Sequence, residues 1–519
     1  MLFKKTSKFD SPVYGRLGFI AIALILSSMM LAALGFIGLM TTESAVKWVV
    51  MIAAGFALLA FLFIVDDHKS ALMGLLAFST LTSVDIGLTN VQKFHYHGNP
   101  SLVISLSDVF LIILYFLWVL ESHEKRSYKA TCKFLPLILF IIFIIWSGIS
   151  ILNSTADIRP WAFYRMVGYL RLLLLFWYLI NNIQSFNHIR AILIGAVVAV
   201  SLQASQGLIQ MGTGHMVSLP LLGGNTEESS RDVIKRSIGT QDSSDQRIRG
   251  STNQPNSLAR LLGLYIPIFI FIGIFHKQNP MMRLILSGAA ILALIAVGLT
   301  LSRSGWISLY IGLAIGFILI ARHYRKMGVF VLSAILVQLI ILGPLLATDN
   351  PISRRIFSAD SALDYRGTAY DRISQFQVAL NYIKDKPILG VGMGMYAKLL
   401  RKYDNSISQF SSRNPVAVHN VYLYFAAENG IPALIFILAF FISILYIGFK
   451  SAKHANLLTK LVALGFTMGL ISNLIALAYT LYPLETLRSI WIPIGALCAI
   501  YLNPHLFVSK QLDDQSISS

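Results

Sequence analysis

Four polar stretches interrupt an otherwise apolar chain, and their residue types belong to the chemistry of phosphate and hydroxyl groups. "QRIRGSTNQPNSLARLL" (246–262) carries Arg247 and Arg249 ahead of a Gly and an Asn-Pro turn that includes Asn256. "SRSGW" (302–306) sets Arg303 inside an apolar run from Leu284 to Ile320. "DRISQFQVALNYIKDKPILGVGMGMY" (371–396) contains Arg372 in an amphipathic helix and closes on a glycine-rich turn. "NPVAVHNVYLYFAAENGIPALIF" (414–436) places His419 and Asn420 at the start of a short helix, which Gly430 ends before Pro432 starts a new span. Arg165 and Arg171 lie in another apolar run, 164–181.

A guanidinium keeps its charge, and its planar fork matches phosphate oxygens through two parallel hydrogen bonds. Two or three such forks would suit a diphosphate. A histidine beside them, with an ordinary pKa of about 6.5, can accept a proton from a sugar hydroxyl at neutral pH. Each residue also has a plainer role open to it. Arg303 could be an interfacial turn residue whose head reaches the headgroup layer, and Arg171 could pair with Asp85 or Asp108. His419 could only cap its helix. "GVGMG" lacks the Lys-Ser/Thr and the preceding strand of a phosphate loop, so it reads as a flexible turn. Asp242 and Asp245 are three apart in a polar loop, too common a spacing to indicate a metal, and no metal or cofactor is expected.

The elements that must position these residues are helices in a membrane. The chain has 519 residues, 56% hydrophobic and 13% charged, with a mean hydropathy of +0.68; a soluble protein carries roughly twice that charge fraction. Two cysteines, Cys132 and Cys498, exclude a disulfide scaffold and a cysteine-rich metal site. The net charge of +18 reads as topology signals and contacts for anionic membrane lipids rather than as a nucleic-acid surface. Apolar stretches predict about fourteen spans: 18–40, 48–65, 71–90, 101–120, 134–152, 164–181, 189–211, 258–276, 284–301, 305–321, 328–348, 431–449, 459–479 and 489–502. The first is read as a retained span and not a cleaved signal peptide, because it is too long and lacks a small-residue cleavage site.

Lys- and Arg-rich loops such as "HEKRSYKATCK", "RHYRK" and "KSAKHANLLTK" fall on one side of this threading, which puts both termini in the cytoplasm. Arg303 then occupies a tight turn between two spans at the outer interface, not mid-membrane. Two long outer loops, 212–257 and 349–430, carry the polar stretches, with short helices at 368–385 and 417–429. The expected fold is thus an all-α polytopic membrane protein. It divides into N-terminal helices (1–189), a core with the two loops (190–450), and C-terminal helices with a cytoplasmic tail (451–519).

Taken in order, "RIRGSTNQPN" before a span, "SRSGW" between two spans, "DKPILGVGMGMY", and "HNVYLYFAAENGIPALI" before another span resemble the O-antigen ligase and polymerase superfamily. The resemblance covers residues 190–450, and the first six spans match only as hydrophobic helices. It implies a GT-C-like, metal-independent, inverting glycosyltransferase of the bacterial inner membrane with an extracytoplasmic active site. The donor it implies is a glycan on undecaprenyl diphosphate, and the acceptor is lipid A-core or a growing glycan. By motif, His419 matches the family's essential histidine and Arg303 the arginine between spans. Either Arg247 or Arg249 matches the arginine before the Gly-Asn-Pro segment, Arg249 being the closer. Arg165, Arg171, Arg372, Asn256 and Asn420 complete the expected diphosphate and glycan contacts.

In the mechanism so implied, the acceptor hydroxyl attacks the anomeric carbon in line with the departing diphosphate. His419 takes or orients its proton, and the arginines bind the developing charge. Ligation to lipid A-core is the leading reading and Wzy-type polymerisation the alternative. A lipid-linked glycan transporter is the rival of another class, but transporters place charge mid-membrane in repeated halves, and no such halves are visible here.

Overall fold

A computed structural model describes residues 67–82, 84–87, 103–124, 131–214, 247–252, 254–276, 279–323, 368–406, 411, 417–454, 456–480 and 484–507. Contacts divide the chain into two units, Met1–Leu72 and Met73–Ser519. Of the first unit only residues 67–72 are described, where the Ser70 N–H donates to Asp67 at 3.0 Å at the start of a helix. Everything below concerns the second unit.

The helices are α1 (His68–Thr80), α2 (Leu106–Glu124), α3 (Leu135–Ser150), α4 (Arg159–Asn182), α5 (Phe186–Thr213), α6 (Pro255–Phe275), α7 (Pro280–Leu299), α8 (Arg303–His323), α9 (Thr368–Asp385), α10 (Tyr396–Tyr403), α11 (Val421–Ser451), α12 (Leu457–Leu477) and α13 (Trp491–Leu502). Among the described residues nine of them are long and apolar enough to cross a membrane. The chain is a multi-pass membrane protein. Those nine (α2 to α8, α11 and α12) correspond to nine of the fourteen expected spans.

The other five expectations fare differently. Spans 18–40, 48–65 and 328–348 lie outside the described residues. The expected span 71–90 is corrected: α1 stops at Thr80 and the chain continues into a strand, Asp85–Gly87. That strand pairs antiparallel with Val103–Ser105, with Ile86 opposite Ile104, so the fold is not purely α. The span 489–502 is corrected as well. Its apolar helix covers Arg488–Leu502, about 22 Å at 1.5 Å per residue, short of the roughly 30 Å hydrocarbon core.

α6 and α12 form the buried centre, with 83% and 78% of their apolar windows inside the protein. They pack on one another, α7 and α8 pack on α6, and α11 packs on α3, α12 and α13. Gly465 and Gly469, four apart on α12, abut the backbone of α6 at Ile268 and Leu264. Small residues at this spacing let two membrane helices approach closely where no hydrophobic effect drives them together. Helix starts follow local chemistry: Pro occupies the first turn of α3, α4, α6 and α7, where its missing N–H costs nothing. Side-chain oxygens of Ser185, Asn279, Asn420 and Asn456 cap α5, α7, α11 and α12.

α11 is two helices in one. Gly430 breaks it at φ 85°, ψ 168°, separating residues 421–429 from the span that begins at 431. This is the break expected from Gly430 and Pro432. A side chain at Gly430 would collide with the carbonyl of Ile388, so the two polar stretches meet at this kink.

Candidate active site

The polar stretches come together at one end of the bundle. The turn between α7 and α8 is tied down from several directions. Thr300 Oγ1 donates to Val297 O at 2.7 Å, Trp306 Nε1 to the same carbonyl at 2.9 Å, and Gly305 N to Ser302 Oγ at 3.2 Å. Leu301 adopts φ 50°, a region that costs non-glycine residues energy and persists only where the surroundings enforce it. Such a turn sets Arg303 at the first position of α8, half-buried, at a helix start that Ser302 caps through the Gly305 N–H.

Arg247 reaches the same turn. Its Nε donates to Thr300 O at 2.9 Å and Nη2 to Asn256 Oδ1 at 3.2 Å. Asn256 therefore holds Arg247 in this structure. Of the two arginines left open by the sequence, Arg247 has its guanidinium on the Arg303 turn. Arg249 contributes its backbone N–H, which donates to Gln210 Oε1 at 3.2 Å. The Arg-Gly-Ser segment is clamped by two glutamines of α5 that nothing in the sequence singled out. Gln210 also takes the Gly250 N–H at 3.0 Å and donates to Gly250 O at 2.7 Å, and Gln203 takes the Ser251 N–H at 3.0 Å.

Arg372 lies on α9, packed against α11. Burial lowers the proton affinity of its guanidinium, and the positive charge of Arg303 lowers it further, so the two cations sit within electrostatic reach of one another. Among the described residues no carboxylate lies within ion-pair distance of either. Two like charges held together in partial burial are costly unless an anion joins them.

One turn along α9, Gln375 meets His419. Its Oε1 is 2.8 Å from His419 Nδ1 and accepts the His419 backbone N–H at 3.3 Å. Gln375 is 3% exposed and His419 half-buried. The helix cap at this point is made by the next residue. Asn420 Oδ1 accepts the Leu423 N–H at 3.0 Å, so Asn420, expected as a glycan contact, has its oxygen in the helix start. His419 does not cap α11.

Two further expected ligands, Arg165 and Arg171, are ion-paired within the chain. Arg165 is 1% exposed in α4, hydrogen-bonded to Glu428 and with Nε 3.0 Å from Glu485 Oε1, while the Tyr424 ring lies 5.4 Å from its guanidinium carbon. Its charge is balanced inside the protein by these two carboxylates. Arg171 pairs with Asp108 at 2.8 Å, the plainer of its two expected roles, and Asp85 pairs instead with Arg488 at 2.8 Å.

The glycine turn is a fixed bracket and not a flexible one. Gly390, Gly392 and Gly394 all take positive φ (68°, 107° and 81°), conformations open to glycine at little cost. Val391 N donates to Ala427 O at 2.9 Å and Gly392 N to Glu428 O at 3.1 Å, across the end of the short helix. Asn153 Nδ2 and Ser154 Oγ hold the carbonyls of Gly390 and Met393, each at 2.8 Å. Glu428 Oε1 accepts the Tyr396 N–H at 3.1 Å. This frame keeps α9, and with it Arg372 and Gln375, against the helix that carries His419.

Residues 288–438 match the family model of the O-antigen ligase, a stretch that contains Arg303, Arg372, Gln375, His419 and Glu428. That stretch of the chain is similar to the O-antigen ligase family. No curated protein matches the chain. Outside the matched stretch, α4, α5 and the 247–256 segment supply the Arg165 bracket, the glutamine clamp and Arg247. Among the described residues no group of three or more His, Cys, Asp or Glu side chains comes together.

Proposed function

We propose that this protein is a glycosyltransferase of the outer face of the bacterial cytoplasmic membrane. It moves a glycan from undecaprenyl diphosphate to an acceptor hydroxyl, and the acceptor is lipid A-core. The observation that carries this reading is the contact of Gln375 with His419, one helical turn from Arg372, which is itself within electrostatic reach of Arg303, with no carboxylate among the described residues at ion-pair distance from either cation. A diphosphate supplies the missing negative charge. Arg247, tied to the Arg303 turn, lies at the edge of the same site.

In the proposed reaction the acceptor oxygen forms a bond to the anomeric carbon as the bond from that carbon to the diphosphate oxygen breaks. The leaving diphosphate keeps the electron pair, and Arg303 and Arg372 take up its charge. His419 accepts the acceptor's proton. Attack opposite the leaving group inverts the anomeric centre. The guanidinium pair supplies the charge stabilisation that a divalent ion gives elsewhere, so turnover is expected to survive chelation.

The test is release of undecaprenyl diphosphate by the purified protein from its lipid-linked glycan in EDTA, with and without lipid A-core, for the wild type and His419→Ala. Release that needs lipid A-core and is lost in the variant is the expected result. Release without it, with longer glycans on the carrier, would make the enzyme a polymerase. Donor binding with no transfer to any acceptor would favour a transporter.

A further inference from the structure

The proton-accepting step requires one particular state of the His419 ring, and the structure assigns that state to Gln375, which we infer is a positioning residue for the histidine. The inference rests on the glycosyl-transfer reading for its purpose but not for its geometry. A backbone N–H can only donate. The His419 N–H, 3.3 Å from the amide, therefore fixes the atom it meets as the Gln375 oxygen and not the nitrogen. That same oxygen lies 2.8 Å from Nδ1 of the ring. An amide oxygen only accepts, so Nδ1 must carry the proton, and the neutral ring keeps its lone pair on Nε2. The ring is thus set as an acceptor at Nε2, the nitrogen pointed away from Gln375.

Gln375 is itself buried in the packed face of its helix. It is 3% exposed, on the face of α9 shared with Ser374, Val378 and Tyr382, and its backbone carbonyl accepts the hydroxyl of Tyr396 at 3.4 Å. Tyr382 Oη donates to Tyr396 O at 2.8 Å, which locks α9 to α10. Because Arg372 precedes Gln375 by three residues on the same helix, one rigid element sets both the diphosphate cation and the ring state of the histidine. Displacement of α9 would disturb both at once.

The direct test needs no substitution at Gln375. Histidine nitrogen-15 spectra of the substrate-free protein at about pH 8.5, well above the ordinary histidine pKa, report which ring nitrogen is protonated. The chain has 11 histidines, so the His419 signals are found by difference from His419→Gln. We expect protonated Nδ1 in the wild type. Gln375→Leu should revert His419 to the Nε2-protonated form, with kcat down about 100-fold, a typical contribution of a general base, and donor KM little changed. Gln375→Glu keeps an acceptor for both donors, and should retain the Nδ1 proton and much of the activity.

A wild-type ring protonated at Nε2, or Gln375→Leu turning over at the wild-type rate, would overturn the inference. If Gln375→Leu does not accumulate as folded protein, the wild-type and Gln375→Glu spectra decide. A protein that shows the Nδ1 proton but transfers no glycan would sink the transferase reading while leaving the hold of Gln375 on His419 in place.

Discussion

Two arginine clusters in this protein obey opposite rules. Arg165 is buried between α4, the end of the short helix at Glu428 and the Leu484–Thr486 turn, with a carboxylate on two sides. Stripping a guanidinium of water costs several kcal/mol, and only such partners make that tolerable. Arg303 and Arg372 are half-buried within electrostatic reach of one another, and among the described residues no carboxylate lies at ion-pair distance from either. The first cluster is complete without a ligand and holds elements together. In the proposed function the second takes its countercharge from the donor diphosphate. On that proposal the same side chain serves structure or binding according to whether its countercharge belongs to the chain.

The sharpest test of that contrast is removal of the buried cation. Arg165→Leu leaves Glu428 and Glu485 facing each other without their cation, and it should destabilise by about 3–5 kcal/mol. Loss of folded protein in detergent-solubilised thermal melts is the readout, and normal accumulation of the variant would erase the distinction. Arg303→Ala should do the reverse. Activity should fall about 100- to 1,000-fold, near 3 kcal/mol in the barrier, while the melting temperature holds or rises slightly as repulsion with Arg372 is relieved. Arg303→Lys should recover little, because an ammonium lacks the planar fork. A melting temperature that drops sharply would show Arg303 to be structural after all.

The frame between the clusters offers an intermediate effect. Gly430→Ala forces a side chain into φ 85° and against the Ile388 carbonyl. A cost of about 1–3 kcal/mol in the melt is expected, with activity lost in proportion because α9 moves relative to His419. The smallest effect belongs to an exposed pair. Asp157 accepts Lys398 Nζ at 2.7 Å, and that hydrogen bond holds its carboxyl below the ordinary range. A depressed carboxyl contributes stability above its unfolded pKa and loses it as pH falls through its folded one. Asp157→Asn should therefore shift the neutral-pH melt by about 1 °C or less, as for most exposed pairs, and the difference should vanish in acid.

Much of the architecture was legible in the chain because membrane spans announce themselves by composition alone. Nine apolar stretches became nine long helices, and the turn at "SRSGW", the helix at 368–385 and the break at Gly430 follow from local residue types. The misreadings have local causes too. Residues 71–90 are apolar enough to span, yet the backbone at Asp85–Gly87 found a partner strand. The glycine turn reads as flexible because glycine permits many conformations, whereas main-chain hydrogen bonds to Ala427 and Glu428 select one.

Residue type and spacing by themselves determined that this is a multi-pass membrane protein with arginines and His419 in four polar stretches, since hydropathy and side-chain chemistry are local properties. They could not assign partners. Nothing in the string separates Arg165 from Arg303, or buried Gln375 from exposed Gln377 two residues away. Those distinctions come from contacts between residues far apart in the chain: Arg165 with Glu428, His419 with Gln375, Arg247 with Thr300. Only the packed bundle decides which charges meet a countercharge, because desolvation and pairing depend on what lies within a few ångströms.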